Sequence, residues 1–149
     1  MHRELRMKKA VLSIALVLFA TLTFAHANVT SEVVKARMVL MTDFRAPLSL
    51  ISRMARGSVE FDAEQAVEAK AMLSALARDV PEKFLENVTE PASGAAPEIW
   101  TDWDDFMAKS DAFTAAVDAL DTSSPAGLKS GLGAIGAGCK SCHRMYRTK

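Results

Sequence analysis

Apolar positions along this 149-residue chain fall into two regimes. From Ala10 to Ala25 the residues are almost continuously apolar. Beyond Ser31 they recur every three or four residues, the period of one face of an α-helix. The first such stripe spans roughly residues 31–56, with Val34, Met41, Phe44, Leu48, Ile51 and Ala55 in line and Arg37 interrupting it. Pro47 should kink this segment or split it in two, and Gly57 suits its end. The second stripe opens at Asp62, with Gln65 three residues on as a capping-box variant. It places Ala66, Ala69, Leu73, Leu76 and Val80 inward; Pro81 marks a kink or an end, and Phe84 and Leu85 close the apolar side. An irregular stretch with Pro91, Ser93, Gly94 and Pro97 follows. The third stripe starts near Pro97, which suits a first helical turn, and runs unbroken through Ile99, Trp103, Phe106, Ser110, Phe113, Val117 and Leu120. Ser124-Pro125 caps the fourth, whose inner face is Leu128, Leu132, Ile135, Cys139, Cys142 and Tyr146. Four amphipathic helices on short connections predict an all-α fold, an antiparallel four-helix bundle.

The continuous run near the start reads differently. Arg3, Arg6, Lys8 and Lys9 precede it, and Ala25-His26-Ala27 closes it with a small-x-small pattern. This is the form of a secretory signal peptide, residues 1–27, cut after Ala27 to leave a domain of residues 28–149. The run is shorter than the roughly 20 apolar residues a membrane span prefers, so no stable membrane insertion is expected after cleavage. Taking four basic residues and one acidic residue from totals of 18 and 18 leaves 14 Lys plus Arg against 17 Asp plus Glu. A mildly acidic domain is not built for a nucleic-acid partner. Cleavage also removes His2 and His26, so His143 is the only histidine of residues 28–149. That excludes a bis-histidine haem, several haems, a histidine-rich metal site and a catalytic triad with its own histidine. Peroxidase-like catalysis would lack a distal acid–base histidine, so the protein is not expected to be an enzyme.

The chemistry lies at the other end, in Cys139-Lys140-Ser141-Cys142-His143, which contains both cysteines. Cys-x-x-Cys-His is the attachment signature of a c-type haem. Thiols three residues apart share a helical face and can both add to haem vinyl groups, and the next histidine can offer an axial nitrogen. Cys-x-x-Cys also serves thiol redox and zinc sites. No further cysteine completes a zinc site, no strand–helix alternation surrounds the motif, and export suits haem attachment outside the cytoplasm. One covalent haem c is therefore expected, with a plain disulfide or free thiol pair as the alternative. Both cysteines lie on the inner stripe, which puts the haem in the core near the C-terminal helix. Gly131, Gly133, Gly136 and Gly138 each weaken that helix by roughly 1 kcal/mol relative to alanine. Either a haem or helix comes close there, or the helix is simply weak at its start.

Three further residues are candidates. Arg37, charged on an inner stripe, needs a partner: a haem propionate would serve, or its stem bends outward to solvent. Met41, one turn on, is the best placed methionine to face the iron, or else it fills core space. Arg147 follows His143 by one turn and stands beside the imidazole, where it gates access to the iron or favours the helix dipole.

The chain resembles the class II c-type cytochromes, that is, cytochrome c′ and its low-spin, Met-ligated relatives. The resemblance covers essentially residues 31–149. It rests on Arg37-Met38-Val39-Leu40-Met41, on Pro97-Glu98-Ile99-Trp100, and above all on Ile135 to Arg147. It implies a periplasmic bacterial haem protein with His143 as proximal ligand, Arg37 near a propionate, Met41 at the distal position and Arg147 beside the proximal histidine. In the low-spin branch a methionine at that distal position is the sixth ligand and the protein carries single electrons to a redox partner the sequence does not name. In the cytochrome c′ branch the iron is five-coordinate and takes a small gas ligand, nitric oxide or carbon monoxide. Leu40-Met41 before Asp43-Phe44 looks closer to the low-spin branch. Members are often homodimers through their first two helices.

Overall fold

Proline and capping chemistry set the helix limits in the computed structural model, which describes residues 29–148. The expected signal peptide lies outside the described residues. Helix α1 (Glu32–Asp43) starts at Ser31, whose hydroxyl accepts from the Val34 amide. Pro47 cannot donate to the Asp43 carbonyl and its ring crowds that group, so the first segment splits at Phe44 and resumes as α2 (Arg45–Ala55). Gly57, at φ 69°, ends α2; its amide and that of Ser58 reach back to the carbonyls of Met54 and Arg53, a Schellman closure. Helix α3 (Ala63–Lys83) is capped by Asp62, whose carboxylate accepts from both the backbone amide and the side-chain amide of Gln65, and it runs two residues past Pro81.

The third expected helix is broken. A short α4 (Glu98–Thr101) stops at Asp102, whose backbone leaves the helical region, and α5 (Trp103–Asp118) begins anew. No Gly or Pro signals this break. Tertiary contacts accompany it: the Trp100 indole donates to the Phe84 carbonyl at 2.8 Å, and the Asp102 carbonyl faces the Tyr146 hydroxyl at 3.4 Å. Helix α6 (Pro125–Tyr146) is capped by Ser124, whose hydroxyl accepts from Gly127.

Helix α3 packs on α1, α2 and α5, and α6 packs on α2 and α5. The antiparallel bundle has two distinct ends. At one, Lys70 Nζ donates to the Leu120 carbonyl at 2.8 Å. At the other, the start of α1, the exit of α3, the start of α5 and the end of α6 come together through Arg37 and Tyr146. The core runs between, with Ile51, Leu73, Phe106, Val117, Leu128 and Ile135 all nearly inaccessible.

Some inner positions differ from the expected stripes. Leu40 is buried and Met41 half-buried, and Met54 is buried while Ala55 is not. The buried positions Val34, Arg37, Leu40, Phe44, Pro47, Ile51 and Met54 keep one three-four stripe across the break, one residue earlier than expected at 40, 47 and 54. Leu85, expected on the apolar side, is 64 % exposed because the chain has already left α3. Cys139 and Cys142 are half-buried at the core's edge rather than within it.

Candidate haem-binding site

The last turns of α6 place Cys139, Cys142 and His143 on one side of the helix, with Arg147 just beyond its end. The two cysteines are free, not joined in a disulfide. Burial pushes both thiols up from their ordinary range, so they stay protonated. His143 is pulled the other way, by burial first and then by the Arg147 charge. Its imidazole is therefore neutral at neutral pH, the form that can give a lone pair to a metal.

The end of α6 is firmly held. Tyr146 donates its hydroxyl to Asp105 Oδ2 at 2.5 Å, and its ring meets Phe106 edge-on with centroids 5.3 Å apart. Lys109 Nζ donates to both Asp105 oxygens at 2.6 Å, and with the Tyr146 hydroxyl it keeps that carboxyl below its usual range. Past the helix, the Tyr146 carbonyl accepts from Ala96 and the Thr148 amide donates to Gly94, both at 3.0 Å. An isolated antiparallel bridge pairs Ala95 with Arg147. The irregular stretch is thus tied to the end of the motif helix, a link that no local pattern announced.

The glycines divide. A Cβ on Gly138 would sit 3.0 Å from the Phe113 ring and 3.5 Å from the Phe113 Cα, and one on Gly131 would sit 2.6 Å from Leu120 Cδ1. These two admit α5 and the turn that follows it. A Cβ at Gly133 or Gly136 would meet no described atom beyond its own helix backbone within 4 Å.

Helix α1 stands apart from α6 at the end where the Cys-x-x-Cys-His motif stands. Helix α2 packs against α6, yet no Cα of α1 comes within 8 Å of it. Register can be read across the bundle. Phe44 meets Phe113 edge-on at 5.6 Å, and Phe113 lies against Gly138. From Phe44, Met41 is roughly 4.5 Å further toward the motif end, and from Gly138, His143 is roughly 7.5 Å in the same direction, at 1.5 Å per residue. Met41 thus stands near the level of the motif, half-buried on the edge of the core with Leu132, Cys139 and Cys142. Open space beside Gly136, one turn before Cys139, adds room. These residues fit a haem held by two thioethers.

Arg37 goes elsewhere than solvent. It is 3 % exposed. Its Nε donates to the Lys83 carbonyl at 2.8 Å, Nη1 to the Val88 carbonyl at 2.7 Å, and Nη2 to the Glu86 carbonyl. The guanidinium carbon lies 5.1 Å from the ring centroids of both Phe84 and Trp100. The outward-bending alternative is thereby corrected. A propionate would have to use the remaining N–H groups of the five an arginine carries. Arg147 is exposed, its backbone in the bridge and its side chain beside Gly94.

A four-helix bundle with a haem-attachment sequence at the end of its last helix defines a class, the C-terminal-motif c-type cytochromes. The comparisons narrow it. The family model described as Cytochrome C′ matches residues 32–147. A cytochrome c-556 of Agrobacterium tumefaciens (strain II Chrys) is 31 % identical over 119 residues, covering 78 % of this chain and 97 % of the relative. The structure of cytochrome c′ from Rubrivivax gelatinosus superposes with a TM-score of 0.70 at 30 % identity, covering 78 % of this chain and 95 % of that one. A nitric oxide complex of a variant of cytochrome c prime from Alcaligenes xylosoxidans gives a TM-score of 0.72 at 28 % identity, covering 78 % and 94 %. This chain belongs to the cytochrome c′ family of class II c-type cytochromes, whose cofactor is one covalently attached haem c.

Proposed function

We propose that the protein is a periplasmic monohaem electron carrier. Cys139 and Cys142 would hold the haem through thioethers to its vinyl groups, His143 would offer a nitrogen to the iron, and Met41 a sulfur. Arg147 flanks the proximal imidazole. The bound haem supplies an iron that changes by one electron between ferric and ferrous states. A His and Met pair lets it do so with little rearrangement, and the thioether raises its potential. The observation that carries this reading is the gap between α1 and α6, with Met41 on one side near the level of His143 on the other. Catalysis has no second histidine to draw on within residues 28–149. For the periplasm the support is the leader-like start of the sequence; among the described residues no helix is long and apolar enough to cross a membrane.

The nitric oxide complex of a structural relative favours a second reading, a five-coordinate iron with Met41 as a pocket wall. The absorption spectra of the ferric and ferrous protein separate the two. A low-spin ferric spectrum with a weak sulfur-to-iron band in the far red, lost in Met41→Ala, supports the carrier. A high-spin ferric form that binds carbon monoxide readily once reduced overturns Met41 ligation. Covalent attachment has its own check: acid–acetone should leave the haem with the polypeptide, and haem in the organic phase would refute the thioethers.

A further inference from the structure

Arg37 occupies a place on α1 that a haem-facing helix does not by itself explain. Its guanidinium is the meeting point of three segments. It takes the carbonyls of Lys83, Glu86 and Val88 where the chain leaves α3, and it lies between the rings of Phe84 and Trp100. Trp100 in turn donates to the Phe84 carbonyl at 2.8 Å, which closes the cluster. The same irregular segment reaches the end of α6 through Ala96 and the Tyr146 carbonyl.

Helix α1 has one more tie on that side, from the Ser31 amide to Glu90 Oε1 at 2.8 Å. It packs on α3 and on its continuation α2 but not on α6. Met41 lies one turn after Arg37, so both project from the same side of the helix. A side chain meant to reach a metal must be placed to a fraction of an ångström, and such placement comes from groups that lock the supporting element. Three fixed carbonyls and two rings around a planar fork specify both the height and the rotation of α1.

We infer that Arg37 is a positioning residue for the distal side of the site. By clamping residues 83–88 and Trp100 it fixes α1, and with it the reach of Met41 toward the iron. This rests on the distal placement of Met41 proposed above. It differs from a propionate partner in one decisive respect. Lysine would still offer a cation to a carboxylate, but it cannot bridge three separate carbonyls in one plane.

The test uses the haem-loaded protein with Arg37→Gln and Arg37→Lys, and Lys70→Gln as a control. Lys70 makes a similar tie, to the Leu120 carbonyl, at the far end of the bundle. Three readouts are taken: the ferric spectrum, the carbon monoxide association rate of the reduced protein, and hydrogen exchange over residues 83–100. Loss of the clamp should raise the population with Met41 withdrawn, and the association rate with it, by about tenfold. Both Arg37 variants should show this, with high-spin character and faster exchange in residues 83–100, while Lys70→Gln should not. Wild-type behaviour in Arg37→Lys would overturn the clamp in favour of a propionate partner. Unchanged association rates in both variants would overturn it outright. Should Arg37→Gln fail to fold, Trp100→Phe, which loses the indole hydrogen bond and shrinks the ring beside Arg37, should give a smaller acceleration in the same direction, and no acceleration counts against the clamp. A native protein that is already high-spin removes Met41 as a ligand, not the clamp: faster carbon monoxide entry in the variants still supports it, and an unchanged rate still refutes it.

Discussion

Replacing the glycines of α6 one at a time with alanine separates close packing from mere helix weakness. In a helix interior alanine is favoured over glycine by roughly 1 kcal/mol. At Gly133 the added methyl would meet nothing within 4 Å, so the full gain should appear. At Gly138 the same methyl would lie 3.0 Å from the Phe113 ring, 3.4 Å from its Cβ and 3.5 Å from its Cα, and a backbone on α5 cannot swing aside. Overpacking of this kind costs about 1–3 kcal/mol. The propensity gain offsets part of it, leaving a net loss of up to about 2 kcal/mol. At Gly131 the contact is closer, 2.6 Å, but it is with the end of the Leu120 side chain. Leu120 is 1 % exposed and has little room to yield, so a loss is expected there too. The two extremes, Gly133→Ala and Gly138→Ala, should therefore differ by roughly 1–3 kcal/mol. Urea unfolding of the haem-loaded proteins reads this as midpoints moving in opposite directions at unchanged slope. Equal stabilisation at both sites would show that Gly138 is not needed for the approach of α5, and the packing argument would be wrong.

Asp62, Asp105, Asp118 and Asp121 are held below the usual carboxylate range, chiefly by hydrogen bonds from Gln65, Lys109, Ser74 and Ser123 respectively. Groups depressed on folding stabilise above the unfolded pKa of about 3.9 and lose that contribution as pH falls through the folded value. Unfolding titrations should show stability dropping below about pH 4, and Asp118→Asn should make that drop shallower. Ser124→Ala removes the cap of α6 and should cost about 1 kcal/mol in urea unfolding. Tyr146→Phe removes the hydroxyl held by Asp105 and should leave the haem attached while raising hydrogen exchange in residues 94–96 and at the end of α6. Unaltered exchange would mean that the backbone pairing alone holds that end.

The bundle and its attachment residues were legible because their signals are local. Four periodic stripes, the Asp62 and Ser124 caps and the Gly57 stop each belong to a few consecutive residues. Cys-x-x-Cys-His needs only five. Pro47 announced a disturbance of the first helix, and the split fell at Phe44 as its missing amide requires. What could not be read depends on distant partners. The break at Asp102 has no Gly or Pro to mark it and coincides with contacts to Phe84 and Tyr146. Arg37 was conspicuous as a charge on an apolar stripe, but its partners are carbonyls 46 to 51 residues away in an irregular segment. Periodicity reports side chains and is silent on which carbonyls a loop turns inward.

The inner positions that shifted bear on the site itself. The buried stripe continues in one phase from α1 into α2, through Arg37, Leu40, Phe44, Pro47, Ile51 and Met54. Leu40 and Met54 therefore take the places that Met41 and Ala55 were expected to hold, and Met41 lies at the core's edge. Helix α1 stands apart from α6 while α2 is packed on it. A haem placed in that gap would cover the half-exposed Cys139, Cys142, Leu132 and Met41, and the apolar surface it buries would complete a core that the polypeptide alone leaves unfinished at one end.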